Sequence, residues 1–588
     1  MLFSHAASRF QLIHVYSGKK SKLKNSLGFL NFLSALIVIN SRRLPAALCG
    51  CLGVIAAAAA VSTWRKILMF SRVLSGGLIG VDSYKLEVEV DCCGGIGQIQ
   101  VVGLPDTAVK ESQERVRSAI KACGFLLPPA KKWIVNLAPA DTKKEGPSYD
   151  LPIAIGILAS CNLIPINNLG KLWMIGELGL DGAVRPVPGV LPLAISCKQH
   201  GAEGIIVPDA NAEEAALVEN LKVYPVSHLR QAVQIVEAMK NGAVFDGNLK
   251  DCFNREASNT IPTLNFADVK GQRGAKRALE IAAAGRHNVL MIGPPGSGKS
   301  MLAERMPSIM PPLEFDEAIE LTKLYSVAGL LTSGQGLVKT RPFRSPHHSS
   351  SIAGLVGGGK SPKPGEISLS HLGVLFLDEL TEFSRSHLDN LRQPLESHKV
   401  TISRALHALT YPASFLFIGA CNPCPCGYKG DLVKYCVCTP GQADRYWARL
   451  SGPLLDRIDI QVGVRRLSEA DLIEDQSATT SEEMRRRVLR AVHKQMARNV
   501  TEDATEKDGR SFKFAFNGQM SSRMLRKFCP ISDDLRSFLA RTVTNCGLSA
   551  RAYDRILRLA RTIADMEDRE QISKSDLLEA LRLRETAA

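Results

Sequence analysis

The first 68 residues contain no aspartate and no glutamate, yet they carry nine Lys and Arg: Arg9, Lys19, Lys20, Lys22, Lys24, Arg42, Arg43, Arg65 and Lys66. That one-sided charge sets the segment apart from everything after it. It also holds two apolar runs, residues 27–40 and 44–64, and the second is about long enough to cross a bilayer. Three readings compete: a membrane anchor, a targeting peptide, or an upstream stretch outside the working protein. Regular patterning begins at Met69, which is the expected start of the working protein. On that reading the protein is cytoplasmic, and a membrane is involved only if residues 1–68 are retained.

A disulfide pattern is missing as well. The fifteen cysteines are scattered, apart from one cluster near Cys424, so a disulfide scaffold is excluded and a reduced compartment is expected. The net charge of +15 shrinks to +6 once the nine N-terminal cations are removed (15 − 9). The remainder is mildly basic and compatible with a nucleic-acid partner. A length of 588 residues corresponds to about three to four domains.

The most informative stretch runs from His287 to Ser300. Asn288-Val289-Leu290-Met291-Ile292 reads as a buried parallel strand. Gly293-Pro294-Pro295-Gly296-Ser297-Gly298-Lys299-Ser300 then has the spacing of a phosphate-binding loop. Glycines let backbone N–H groups approach phosphate oxygens, Lys299 places a charge on the β- and γ-phosphates of ATP, and the Ser300 hydroxyl can ligate Mg2+. Val374-Leu375-Phe376-Leu377 ends in Asp378-Glu379, 78 residues after Ser300 (378 − 300). Asp378 suits Mg2+, and Glu379 suits orienting and deprotonating the attacking water. Phe415 to Cys421 is a third buried strand ending in Asn422, whose amide can reach the γ-phosphate or the lytic water.

These parts resemble an AAA+ ATPase. Arg341-Pro342-Phe343-Arg344-Ser345-Pro346-His347-His348 through Gly357-Gly358-Gly359, with Pro364 to His371, resembles the helix-2 insert of the magnesium-chelatase group. Leu391 to Glu396 and Val400 to Arg404 resemble the hairpin before the sensor strand, which in hexameric relatives working on DNA points into the central pore. In Leu454-Leu455-Asp456-Arg457-Ile458-Asp459, Arg457 is similar to that group's arginine finger, which reaches a neighbour's ATP and implies a ring. His347-His348 has no third ligand at useful spacing and reads as polar loop. Cys424-Pro425-Cys426 and Cys436-Val437-Cys438 form two C-x-C pairs suited to tetrahedral Zn2+, with metal-free reduced thiols as the competing reading. Cys421 belongs to the buried strand.

Upstream, Tyr84–Val90, Gln98–Val102, Lys132–Leu137, Trp173–Leu178, Gly204–Val207 and Lys222–Pro225 read as strands. Thr107–Cys123, Tyr149–Leu163, Asn211–Val218 and His228–Met239 read as helices. From Lys144-Glu145-Gly146-Pro147-Ser148-Tyr149-Asp150 through Gly176 to Gly182 and Ile205 to Pro208, the chain resembles the proteolytic domain of the Lon family. The serine matching Ser148 is that family's nucleophile, activated by a later lysine. Here that place, after Pro188-Gly189-Val190, reads Leu191-Pro192-Leu193. A serine without a base is a poor nucleophile, so the fold carries over and peptidase activity does not. Ser148 then reads as a helix cap or turn residue.

Beyond the ATPase core, Ser468–Asp475, Ser481–Arg498, Asp533–Asn545, Ala550–Asp565 and Ser573–Arg584 read as helices. Arg551 resembles the sensor-2 arginine that contacts the γ-phosphate from the lid. Arg555, Arg558 and Arg561 share its helix and suit a solvated basic face, DNA or a neighbouring subunit. The expected fold is multidomain α/β. It has a basic extension at 1–68, an α+β Lon-like domain at 69–240, a linker at 241–263, a P-loop core with a parallel sheet at 264–465, and a C-terminal helical domain at 466–588.

From Met69 onward the chain is similar to the YifB/ComM family of magnesium-chelatase-like AAA+ proteins, over about 520 residues (588 − 68). The resemblance implies a hexameric ATPase that translocates on DNA and drives branch migration during natural transformation. A chelatase motor acting on a tetrapyrrole is disfavoured by the Lon-like domain, and an ATP-dependent protease by the missing lysine.

Overall fold

The computed structural model describes residues 70–240 and 264–584, apart from 167–168, 333, 335, 360–361, 404–407, 432, 468–478, 500–515 and 548. The N-terminal extension, the linker, the helix expected at 468–475 and the tip of the expected pore hairpin therefore lie outside the described residues.

The N-terminal part opens with β1 (Phe70–Ile79), β2 (Asp82–Gly94) and β3 (Gln98–Val102), followed by α1 (Thr107–Ala122), β4 (Lys131–Ala138) and α2 (Asp150–Ser160). Next come β5 (Leu172–Met174), a small hairpin of β6 (Glu177–Leu178) and β7 (Val184–Arg185), and α3 (Val190–Gln199). β8 (Gly204–Pro208), α4 (Ala212–Ala215), β9 (Lys222–Val226) and α5 (Leu229–Lys240) complete it. Seven strands form one mixed sheet in the order β3-β4-β2-β1-β5-β8-β9. On β2, Leu86, Val88 and Val90 are buried while Glu87, Glu89 and Asp91 alternate outward, the period of a strand with one packed face. Both faces are covered near the centre: Val73 joins the core under α1, α2 and α5, and its neighbour Leu74 joins the core under α3.

The expected strand Trp173–Leu178 divides at Gly176. A Cβ there would meet Val184 at 2.8 Å, and its N–H donates to Ser148 O at 3.0 Å instead of to a strand. Asp106 caps α1 by accepting from Val109 N at 2.8 Å. Ser148 caps nothing: it lies in the turn before α2, whose N-cap position is Tyr149. Leu191 and Leu193 are buried on α3, apolar side chains in the core where a dyad lysine would have to reach a site.

The core begins with α6 (Arg273–Gly285) and β10 (Val289–Ile292), then α7 (Lys299–Glu304), α8 (Met306–Ile309), α9 (Phe315–Ala328) and β11 (Phe343–Arg344). A small insert follows, of α10 (Ile352–Val356), β12 (Gly357–Gly358), β13 (Lys363–Pro364) and α11 (Glu366–Leu369). β14 (Val374–Leu377) and α12 (Arg385–Ser397) lead into the hairpin β15 (Lys399–Ser403) and β16 (Ala408–Pro412). β17 (Leu416–Cys421), α13 (Pro440–Trp447), α14 (Gly452–Leu455) and β18 (Ile460–Gly463) close the core. The sheet order is β11-β14-β17-β10-β18, and every pairing is parallel. β10, β14 and β17 are buried along their whole length, which is why they read as unbroken apolar runs. Val289 and Met291 face one core, Leu290 and Ile292 the other.

The C-terminal part is helical: α15 (Ser481–Arg498), α16 (Ser522–Phe528), α17 (Asp533–Asn545), α18 (Ala550–Met566) and α19 (Lys574–Arg582). Thr480 and Glu483 form a capping box at α15, which packs with α6 and α18 in the core shared with the parallel sheet. The last turn returns to the sheet, where Gln461 N donates to Leu583 O at 2.6 Å and Arg584 Nη1 to Ile458 O at 3.0 Å. The Lon-like part docks on α9. Ser326 Oγ donates to the buried Glu214 carboxylate at 2.6 Å, and Gly189 N donates to Ser326 O at 2.9 Å. Burial pushes the Glu214 carboxyl up, against the bonds from Ser326 and Asn211. Among the described residues no helix is long and apolar enough to cross a membrane.

Candidate active site at the end of the parallel sheet

The loop after β10 turns where its sequence lets it. Gly296 and Gly298 have φ of +74° and +92°, a region that disfavours side chains. At Gly293 a Cβ would lie 2.0 Å from Val464 O, so only glycine lets the loop leave the sheet beside β18. Pro294 and Pro295 stiffen the outward arc, and α7 starts at Lys299 with Gly298 as its N-cap. The Lys299 ammonium folds back into the loop. It donates to Gly293 O at 2.8 Å, Pro294 O at 3.0 Å and Asn422 Oδ1 at 3.3 Å. Burial lowers its pKa, while Asp378 and Glu379 work in the opposite direction. Ser297 Oγ is buried within the loop and has no hydrogen-bond partner.

β14 lies next but one to β10, with β17 between them. This places Asp378 opposite the loop, and Ser300 Oγ donates to Asp378 Oδ2 at 2.6 Å. A hydroxyl and a carboxylate oxygen at this spacing are the hard donors that Mg2+ takes. Glu379 follows with a positive φ of +48° and its side chain in solvent. His348 faces it, with Nδ1 3.7 Å from Oε2. The structure thus brings Gly293 to Ser300, Asp378, Glu379 and Asn422 into one place.

Arg457 and Arg551 are not in that place. Arg457, beside α14, pairs with Glu396 at the end of α12, and its Nη1 donates to Pro453 O at 2.7 Å. The Arg457 guanidinium holds the Glu396 carboxyl below its ordinary value, with Arg551 and Arg555 adding to the effect. Arg551 is exposed in the first turn of α18, on this same flank. The other arginines of α18 do not make a solvated basic face. Arg555 pairs with Asp459, and the buried Arg561 donates to Glu570 O and Arg569 O at 2.6 Å each. Glu396, the partner of Arg457, lies in α12: residues 391–396 are helix, and the hairpin begins only at Lys399.

The four cysteines do converge. Their sulfurs lie within 4.8 Å of one another, with Cys424 to Cys426 at 3.3 Å and Cys436 at 3.6 Å from each. A tetrahedral zinc with Zn–S near 2.3 Å places sulfurs about 3.8 Å apart. Hydrogen bonding, from Tyr428 N first, brings the Cys426 thiol down to about 6. Cys421 stays inside β17, where burial pushes its thiol up to about 12. The rings of His347 and His348 lie 4.0 Å apart, tilted by 34°, and belong to no such cluster among the described residues.

A glycine-rich loop at the tip of a central parallel strand, facing an Asp-Glu pair two strands away, defines a P-loop ATPase of the AAA+ class. Residues 265–472 match the family described as magnesium chelatase, subunit ChlI; residues 88–211 match subunit ChlI of Mg-chelatase, and residues 478–584 its C-terminal domain. The chain is 42% identical to competence protein ComM of Haemophilus influenzae over 515 residues, covering 87% of this chain and 97% of that protein. It is 41% identical to YifB of Salmonella typhimurium over 508 residues, covering 86% and 95%. Lon protease 2 of Bacillus subtilis is 29% identical over 143 residues, 22% of this chain and 25% of that protein. The chain belongs to the YifB/ComM family of magnesium-chelatase-like AAA+ ATPases.

Proposed function

We propose that this protein is a cytoplasmic, homohexameric ring motor that hydrolyses ATP to move on DNA and drives branch migration during natural transformation. The observation that carries the ATPase chemistry is the Ser300–Asp378 pair set against Lys299 and Asn422. Ser300 and Asp378 would hold Mg2+, which supplies charge neutralisation on the β- and γ-phosphates when bound. The N–H groups of Gly296 to Ser300 and the Lys299 ammonium cradle the phosphates, exchanging the carbonyls of Gly293 and Pro294 for phosphate oxygens. Glu379 takes a proton from the water that attacks the γ-phosphorus as the bond to the β–γ bridging oxygen breaks, and Asn422 orients that water.

The ring reading is supported by Arg457, whose partners are Glu396 and Pro453 and not its own phosphate loop; a finger so placed serves a neighbour. Arg551, on the same flank, fits that trans site better than its own loop. The DNA reading is supported by the name of the competence relative, by the mild basic excess of +6 beyond residue 68, and by the hairpin β15–β16, whose Thr401, Ser403, Ala408 and Thr410 are exposed. We also infer that Cys424, Cys426, Cys436 and Cys438 hold a structural Zn2+. The second reading is a magnesium-chelatase-like motor that remodels a protein partner, favoured by the family matches themselves; no tetrapyrrole is expected.

The deciding assay is ATP-dependent branch migration of a four-way DNA junction by the wild type, Lys299→Ala and Glu379→Gln. Migration by the wild type alone is expected. ATPase activity without DNA binding by the wild type would overturn the DNA reading and favour the protein-remodelling one.

A further inference from the structure

We propose that the zinc knuckle of Cys424, Cys426, Cys436 and Cys438 is a brace for the phosphate loop, so that metal content sets nucleotide affinity. This rests on the zinc reading above and extends it to the contact between Gly427 and Pro295.

The knuckle is built onto the ATP site at both of its edges. Its first cysteine, Cys424, lies two residues after Asn422, the amide that receives Lys299. One step earlier, Cys421 O accepts from Gly293 N at 3.2 Å. Within the knuckle, Gly427 adopts a φ of +85° and lies directly against Pro295. A Cβ at Gly427 would sit 2.6 Å from Pro295 Cδ and 2.9 Å from Cγ. The arc of the phosphate loop therefore rests on the backbone of the metal-binding turn. A second route runs through the far side. Asp431 pairs with Arg466 at 3.3 Å, and the neighbouring Arg465 O accepts from Gln272 Nε2 at 2.6 Å. Gln272 Nε2 also donates to Ser297 O at 3.3 Å. Pro295 and Ser297, the two turns of the cradle, are thus both linked to the knuckle.

Among the described residues the excursion has little apolar packing of its own. Val433, Tyr435 and Val437 are 68%, 95% and 83% exposed, so the excursion between Cys426 and Cys438 buries no large apolar side chain of its own from these positions. Its fixed points are Trp447 Nε1, which donates to Pro423 O at 2.9 Å, and the start of α13 one residue after Cys438 and Thr439. Thiolate–metal bonds would join the two C-x-C arms directly across the excursion, and binding energy at such a site is folding energy for the segment. Without the metal, Gly427 loses its fixed position and Pro295 its support. With it, the cradle is held open in the form that phosphates need.

The test uses the full chain. Zinc per chain is measured by plasma mass spectrometry, and affinity for a fluorescent ATP analogue by titration, for the wild type, Cys436→Ser and Gly427→Ala. The expected result is one zinc per wild-type chain. Cys436→Ser should lose the metal and bind the analogue at least about tenfold more weakly, since small displacements of a positioned site are costly. Gly427→Ala should keep the metal and still bind weakly, because the added methyl displaces Pro295. Should Cys436→Ser fail to fold, wild type stripped by a zinc chelator and reloaded serves in its place, with affinity falling and returning. A metal-free wild type would overturn the zinc reading. Zinc present, with stripped protein and Gly427→Ala both binding nucleotide like the loaded wild type, would overturn the brace alone.

Discussion

Glu396 is the carboxylate that receives Arg457: the end of α12 and the turn after α14 are joined by a charge-assisted pair, with Arg551 and Arg555 close enough to hold the same carboxyl ionised. Its position matters because α12 runs directly into the hairpin β15–β16 two residues later. To reach a neighbour's γ-phosphate, Arg457 must leave Glu396 for another anion.

From this pair follows a prediction about shared sites. Arg457→Ala should lower kcat for ATP by about 10³-fold or more with nucleotide binding kept. Glu379→Gln should be equally inactive. Mixing the two variants should restore part of the ATPase rate, because a site can then combine Glu379 of one chain with Arg457 of another. Glu396→Gln should raise the basal rate, since the finger no longer has a carboxylate to leave. Steady-state ATPase assays on the singles and the mixture check all of these; no recovery on mixing would place Arg457 outside the trans role.

The Ser300–Asp378 contact of 2.6 Å predicts a metal-specific defect. Ser300→Ala should need at least about tenfold more Mg2+ for half-maximal ATPase activity, with little change in metal-free nucleotide binding. Lys299→Ala should instead lose nucleotide binding at every Mg2+ concentration. Mg2+ titrations of ATPase rate, set beside fluorescent-nucleotide binding, separate the two effects.

Asp459 yields a pH prediction. Burial alone would raise its carboxyl, but Arg555, His287 and the Asn288 N–H outweigh burial and hold it well below the usual carboxylate range. A carboxyl depressed in the folded state stabilises fully above its unfolded value, about 3.9, and progressively less as pH falls below it. Asp459→Asn leaves the half-buried Arg555 without its partner and should cost about 3 kcal/mol at pH 7. Calorimetric unfolding of wild type and variant should show that gap at neutral pH and show it shrinking below about pH 4. A gap of constant size across the range would contradict the assignment.

Much of this was legible in the sequence because the physical signals were local. β10, β14 and β17 are buried on both faces, so their composition alone marks them. α15 and α17 start after Thr480 and Ser532, caps whose hydroxyls accept from the third residue on, and both helices run over the expected residues. What escaped depended on distant packing. β1 contains Gly76 and Gly77, an unpromising strand until one sees Trp173 and Tyr84 lying over them. α3 follows Pro188 and carries Pro192, a composition that discourages a helix, yet Pro192 falls in its first turn, where no N–H is needed. α12 carries Pro394 in its last turn, where the ring forfeits one intrahelical bond, and the buried Leu391 and Leu395 hold the helix in place. In the site, the spacing of 293–300 and the acids at 378–379 mark the phosphate end. Which flank Arg551 occupies depends on how the helical part folds back, and no residue near 551 encodes that.

The return of the last helical turn to the core has a separate consequence. β18 is the outer strand of the five-stranded sheet, with β10 on one side. On its other side Gln461 N–H is taken by Leu583 O, and Arg584 covers Ile458 O. An outer strand with free donors is a template for another strand, from the same kind of chain or any other. The end of the helical domain works as a selvedge: it finishes the cloth so that it cannot be extended, and a chain that lost its final turn would be left with an edge open to aggregation.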